Sequence, residues 1–259
     1  MGMVFGIQRE EEPSYTVLLD RTSPSPSSGS SSSPAIHTPY EIRRYGTRFA
    51  IEAAFEDSSG DNTGRDETRS PFMKLAGYIG VMSDPQNEGK EGMAMTAPVA
   101  MQRGGSGDDE DKKRGEKIAM TAPVAMHRDG GDDDDNKGGT KKMQFFLPSK
   151  YDSMDKIPTP TNPDVAIAEV PPAVGAVHRY SGTFSETKSR KKAQALVEAL
   201  NADGADVDMD KAMKEYQFWG YNPPFTIPVF RRNEVWVELS EEQVEMLQKK
   251  VGGGEDAAR

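Results

Sequence analysis

Ten residues, Met93-Ala-Met-Thr-Ala-Pro-Val-Ala-Met-Gln102, recur almost unchanged as Ile118-Ala-Met-Thr-Ala-Pro-Val-Ala-Met-His127. Only the first and last residues of the phrase differ, so the repetition is not accidental. In an extended chain Met93, Met95, Ala97, Val99 and Met101 fall on one side, the period-2 pattern of a strand with one apolar face. Methionine is unbranched and polarizable, which suits a wall that adapts to a flat or variable ligand. Pro98 and Pro123 lack an N–H, so each copy is expected to end or bulge there. Residues 103–117, between the copies, are rich in Gly, Asp and Lys and read as a solvated loop. One copy is therefore expected to serve as a core strand and the other as a duplicate tolerated in a loop. The sequence does not choose between them.

Four further stretches bound the folded part. Residues 22–38 are Ser/Pro-rich, and residues 57–69, 102–117 and 129–142 are rich in Gly and charge; none can bury much apolar surface. What remains suffices for one domain over residues 1–251, followed by a disordered tail at 252–259. The net charge of −10 offers no basic face for nucleic acid. The runs Asp108-Asp-Glu-Asp111 and Asp132 to Asp135 lack the ligand spacing of an EF-hand and read as solvated acidic loops. There is no cysteine, which excludes disulfides, thiolate nucleophiles, zinc–thiolate sites and iron–sulfur clusters. No apolar run has the length of a membrane span. Residues 1–7 are too short for a signal-peptide core, and Gly6 stands where a myristoylation signal wants Ser or Thr. A cytoplasmic protein without a membrane span is expected.

Strand patterns cover Tyr15 to Leu19, Tyr40 to Tyr45 and Arg48 to Phe55. Ser70-Pro71 reads as a helix start, with Phe72, Leu75, Ala76 and Ile79 as one apolar stripe and Gly80 closing it. Further strands are expected at 142–148, 164–170 and 174–180. A second helix opens at Ser185, carries Ala193, Leu196, Val197 and Leu200, and stops before Gly204. Closing strands are expected at 215–221 and 234–239. The order implies an α+β domain of two similar β-α-β-β halves, their sheets joined into a distorted β-barrel with flanking helices.

Catalytic constellations are missing. His37 sits in the Ser/Pro stretch, His127 at the end of the second phrase and His178 in a strand, with no metal-ligand spacing among them. Ser181, Gly182 and Thr183 lack a nucleophile-elbow context, and no Gly-rich loop leads into Lys-Ser or Lys-Thr. Met93 and Met95 could offer soft thioethers to copper(I), but their alternation suits a core face equally well. Neither an enzyme nor a metal site is expected.

Five phrases occur in one order: Tyr40-Glu-Ile-Arg-Arg-Tyr45, Met120-Thr-Ala-Pro-Val124, Met143-Gln-Phe-Phe-Leu-Pro148, Gly220-Tyr-Asn-Pro-Pro-Phe225 and Arg232-Asn-Glu-Val-Trp236. Together they resemble the SOUL heme-binding protein family, and the opening residues and the duplicated phrase look most like its plant and algal cytosolic members. The resemblance implies reversible binding of heme or another tetrapyrrole in a shallow apolar cleft along the first helix. On that basis Arg69 matches a cation at the head of the helix, and Phe72, Met73 and Ala76 match the apolar positions after it. Gly77 stands where one branch of the family has a lysine. Arg44 replaces a histidine proposed elsewhere in the family as an axial iron ligand, and arginine stays protonated and cannot ligate iron in that way. Binding is therefore expected to rest on the ring's apolar surface, with Arg69 facing a propionate. The competing reading is a protein-interaction module on the same fold, with tetrapyrrole binding incidental.

Overall fold

A computed structural model of the chain describes residues 11–22, 38–56, 65–81, 84–103, 140–222 and 226–252. The second copy of the phrase, His37, His127, both acidic runs and residues 253–259 lie outside the described residues.

Every strand pattern forms a strand. In chain order these are β1 (Tyr15–Arg21), β2 (Tyr40–Tyr45), β3 (Arg48–Glu56), β4 (Val99–Arg103), β5 (Thr140–Phe146), β6 (Ala166–Val170), β7 (Ala173–Tyr180), β8 (Gln217–Gly220) and β9 (Asn233–Glu238). The helices are α1 (Arg65–Ile79), α2 (Glu186–Ala202), α3 (Met209–Glu215) and α4 (Glu241–Leu247). β4 comes from the first copy of the phrase, and only its second half is strand, starting just after Pro98. The missing N–H of Pro98 marks that boundary.

The strands form one antiparallel sheet in the order β1-β2-β7-β9-β8-β4-β5-β3-β6. With β1 set aside, the order is symmetric about the β8–β4 pair. β3-α1-β4-β5 on one side mirrors β7-α2-β8-β9 on the other. The leading strand of each half is exchanged: β2 pairs with β7, and β6 with β3. Neither half can complete its sheet alone, so the two fold as one unit.

Strand alternation sorts side chains onto two faces. The helix-covered face carries two cores. One gathers Ile42, Ala176, Leu196, Leu200, Val235 and Leu247 under α2, α3 and α4. The other gathers Phe49, Ile51, Leu75, Ile79, Met143 and Phe145 under α1. The opposite face curls into a half-barrel whose hollow is filled by Tyr45, Phe146, Val177, Trp219, Tyr221 and Trp236. The two tryptophan rings stack with centroids 5.6 Å apart at 8°. Gly175 permits this, because a Cβ there would lie 2.5 Å from the Trp236 ring.

α2 begins and ends where its sequence directs. The Ser185 side chain accepts from the Lys188 N–H, and Gly204, at φ +92, turns the chain after the helix. α1 departs from the expectation of a start at Ser70-Pro71: it begins at Arg65, and Pro71 lies inside it. The fixed φ of proline is helical, but at the seventh position it removes one helical hydrogen bond and crowds the carbonyl four residues before it. α3 and α4 were not anticipated. The signal for α4 was legible: Ser240 and Gln243 form a reciprocal capping box.

Candidate functional site

The flank of α1 holds the residues singled out from sequence. Leu75, Ala76 and Ile79 are buried against β3 and β5. Phe72 is half-buried, its ring edge-on to Phe145 with centroids 5.3 Å apart. Met73 is 42 % exposed. The side chain of Arg69 lies outside the described residues; its backbone is one turn before Met73 on the same stripe.

The loop after α1 runs back along it. Gln86 donates its N–H to the Gly77 carbonyl at 2.9 Å, and the Asn87 side chain bonds the carbonyls of Tyr78 and Glu91 at 2.8 and 2.9 Å. Gly77 is buried beneath the Gln86 side chain, whose amide lies 3.1 to 3.3 Å from where a Cβ would stand. Met93 follows, donating its N–H to Ile79 at 2.9 Å and packing with Met95 into the core under α1. The methionines of the phrase thus form the floor beneath the helix, and Met73 and Phe72 form its outer wall. Ala76 belongs to the floor.

A second polar centre lies in the hollow of the sheet. Glu234, fully buried, accepts from Arg43 at 2.9 and 3.3 Å, from Arg232 at 2.9 Å and from the Tyr221 hydroxyl at 2.7 Å. Burial, the largest effect, opposes the charges of Arg43 and Arg232, but Glu234, together with Tyr45 and Glu41 for Arg43 and with Tyr221 and Glu12 for Arg232, raises both pKa values. Burial, reinforced by the charge of Glu234, pushes the Tyr221 phenol well above its ordinary value. Arg48 differs. Its guanidinium lies 4.6 Å from the Tyr45 ring centroid and 5.1 Å from that of Phe146. Its Nε and Nη1 are buried with no hydrogen-bond partner among the described residues. Burial lowers its pKa to about 10.

His178 is 4 % exposed, with Nδ1 2.7 Å from the Pro39 carbonyl, and burial lowers its pKa. That contact makes Nδ1 the donor and leaves Nε2 an unpaired acceptor. Arg44 is exposed and paired with Glu241 of α4. No group of three or more His, Asp or Glu able to hold a metal occurs among the described residues.

A curled antiparallel sheet of two βαββ halves with flanking helices defines an α+β half-barrel protein. The model of the family described as SOUL heme-binding protein matches residues 10–112 and 105–238, and the chain belongs to that family. Each match contains one copy of the duplicated phrase. No curated protein matches the chain. Among solved structures, the EcmrR C-terminal domain is similar with a TM-score of 0.44 at 10 % identity, over 78 % of this chain and 96 % of that one. A hydrolase from Listeria innocua gives 0.40 at 10 % identity, over 77 % and 91 %. SAV2435 bound to tetraphenylphosphonium gives 0.35 at 9 % identity, over 78 % and 94 %.

Proposed function

We propose that this chain reversibly binds heme or another tetrapyrrole as a carrier or buffer, along the outer flank of α1 and without strong axial ligation. The observation that carries the reading, beside family membership, is the exposed Met73 next to the half-buried Phe72 on the helix where a flat apolar ring would lie. Met73 and Phe72 take the ring face, and Arg69, one turn earlier, takes a propionate. Ala76 and Gly77 continue that stripe, and a ring that reaches them displaces the flexible Gln86 side chain.

Weak ligation is supported by chemistry and burial. Arg44 stays protonated and is paired with Glu241 of α4. His178 is buried, with Nδ1 held by the Pro39 carbonyl. We also propose that residues 1–251 act as one domain interrupted by loops near 22–38, 57–69, 102–117 and 129–142, and that the protein works in the cytoplasm as a non-enzymatic binder of a small molecule rather than of nucleic acid. No helix among the described residues is long and apolar enough to cross a membrane.

Paired titrations with hemin and protoporphyrin IX test the reading. Both are expected to saturate, with affinities within about tenfold, or ~1.4 kcal/mol, and both to weaken in an Arg69→Ala, Met73→Ala variant. Failure of both ligands to saturate overturns it; a far larger loss on removing iron overturns the absence of axial ligation.

One observation favours the interaction reading. Ile227, Val229 and Phe230, on the loop between β8 and β9, expose apolar side chains, Val229 to 65 %. If that reading holds, Val229→Ser with Phe230→Ser leaves both titrations unchanged and abolishes capture of a partner.

A further inference from the structure

The segment before β1 crosses the mouth of the half-barrel. The Glu11 carbonyl accepts from the Ala97 N–H at 3.0 Å, and its side chain accepts from the Ser149 N–H at 2.7 Å. Glu12 accepts from Arg232 Nη1 at 2.9 and 3.1 Å. Tyr15 then lies against Tyr45, with ring centroids 5.3 Å apart, and Arg43 sits 4.4 Å over its ring. Ala97 adjoins β4, whereas Tyr15 pairs with the far edge of the sheet. Along the sheet that is five steps, roughly 24 Å at 4.8 Å each. Four residues of extended chain span at most about 14 Å. The segment is therefore a chord across the curl, touching both halves.

What the chord places there is a carboxylate on one arginine and an aromatic ring on another. We propose that the hollow of the sheet is a second binding site, for a flat aromatic carboxylate, and that residues 11–15 are its built-in occupant. The ring of the ligand takes the place of Tyr15 on Arg43 and Tyr45, and its carboxylate takes the place of Glu12 on Arg232.

Three observations support a site rather than simple packing. First, the charges do not balance without the strap. Arg43, Arg48 and Arg232 face the hollow, opposed by Glu234 within it and Glu41 at its rim, 2.7 Å from Arg43. Removing Glu12 leaves a net positive hollow, which selects an anion and rejects a cation. Second, Arg48, stacked near Tyr45 and Phe146, has two buried nitrogens with no hydrogen-bond partner among the described residues, donors that an incoming carboxylate could meet. Third, the strap lies at the edge of the sheet. β1 is an edge strand whose residues are exposed or half-buried throughout, with Tyr15 itself 38 % exposed, and such edge segments open locally at less cost than global unfolding. An open cleft of about 790 Å³, lined by Tyr15, Arg44, Tyr45, Gly46, Glu238 and Glu241 among others, lies beside it.

The chain's two tryptophans, Trp219 and Trp236, both lie in the hollow, so tryptophan emission reports on this site. The experiment titrates 4-nitrobenzoate, a quencher of tryptophan emission, into the full chain and into a Glu12→Gln, Tyr15→Ala variant. Saturable quenching at least tenfold tighter in the variant is expected, reversed by adding a peptide of residues 11–20. The cation 4-nitrobenzylammonium is expected to quench neither protein saturably. Adding Arg48→Met to the strap variant is expected to weaken 4-nitrobenzoate at least fivefold. Equal affinity in the two proteins overturns the strap, equal quenching by the cation overturns the anion preference, and no saturable quenching in either overturns the site. Protoporphyrin titration of the strap variant is expected to match the parent, so failure here is separable from failure of the α1 reading.

Discussion

The two halves share one topology and differ in what covers their helix. α2 is closed in by α3 and α4, and its apolar stripe of Ala193, Leu196, Val197 and Leu200 is buried to the last residue. α1 occupies the mirror position, but loops rather than helices cover it: the returning loop, and the segment between β5 and β6, where Tyr78 donates its hydroxyl to the Pro158 carbonyl at 2.6 Å and Lys74 pairs with Asp164 at 2.9 Å. Met73 stays exposed on its flank beside the half-buried Phe72. A symmetric scaffold thus carries an asymmetric surface. One half buries its whole helix stripe, and the other leaves part of it exposed. Between them, on the opposite face, a polar network centred on Glu234 joins strands β2, β8 and β9.

The largest test strikes that network. Glu234→Ala strands two buried guanidiniums and a phenol, and is expected to cost about 3–5 kcal/mol, read as a lower urea midpoint. Paired core truncations come next. Leu196→Ala under α2 and Leu75→Ala under α1 both remove fully buried side chains and are each expected to cost about 2–5 kcal/mol. They sharpen the contrast between halves by a different readout: tetrapyrrole affinity falls with Leu75→Ala and holds with Leu196→Ala. Equal losses of affinity would erase the division of labour.

A smaller effect is expected from acid. His178 is held neutral in the fold, with its pKa lowered by burial. The unfolded chain, titrating near 6.5, therefore binds the proton first as pH falls. The stability penalty starts below that value, grows towards the folded pKa and then levels off. His178→Asn, which keeps a donor for the Pro39 carbonyl, should flatten the fall in melting temperature between pH 7.5 and 5; an unchanged slope would assign it to other groups. The smallest change in stability is expected at Met73. Met73→Ala should alter it by less than about 0.5 kcal/mol, as befits an exposed position, while weakening porphyrin. A large loss of stability there would make α1 as structural as α2.

The periodicities that placed β2, β3, β5, β7 and β9 were legible because each strand has one face in a core, so burial and local pattern agree. The same holds for α2, whose Ser185 cap and Gly204 stop are local signals. α1 was harder. Its first turn is charged, and its continuity through Pro71 depends on backbone geometry that a proline suggests breaking. The α1 stripe was read correctly as core at Leu75 and Ile79, but Ala76 and Gly77 could not be told from surface positions. Gln86, nine residues on, covers Gly77, and Ala76 faces the core under α1. The hollow could not be read at all: Glu234, Arg43, Arg48, Arg232 and Glu12 are scattered along the chain as ordinary charges.

By itself the sequence determined the number and kind of most elements, the two-half α+β plan and the family, because hydrophobic period, caps and phrases are local properties. The tertiary structure alone decided that the first copy of the phrase supplies β4, that the leading strands exchange between halves, which helix is left open and which charges meet in the hollow. Those outcomes depend on strand partners and curl, which bring together residues up to 230 positions apart; no local pattern encodes such separations.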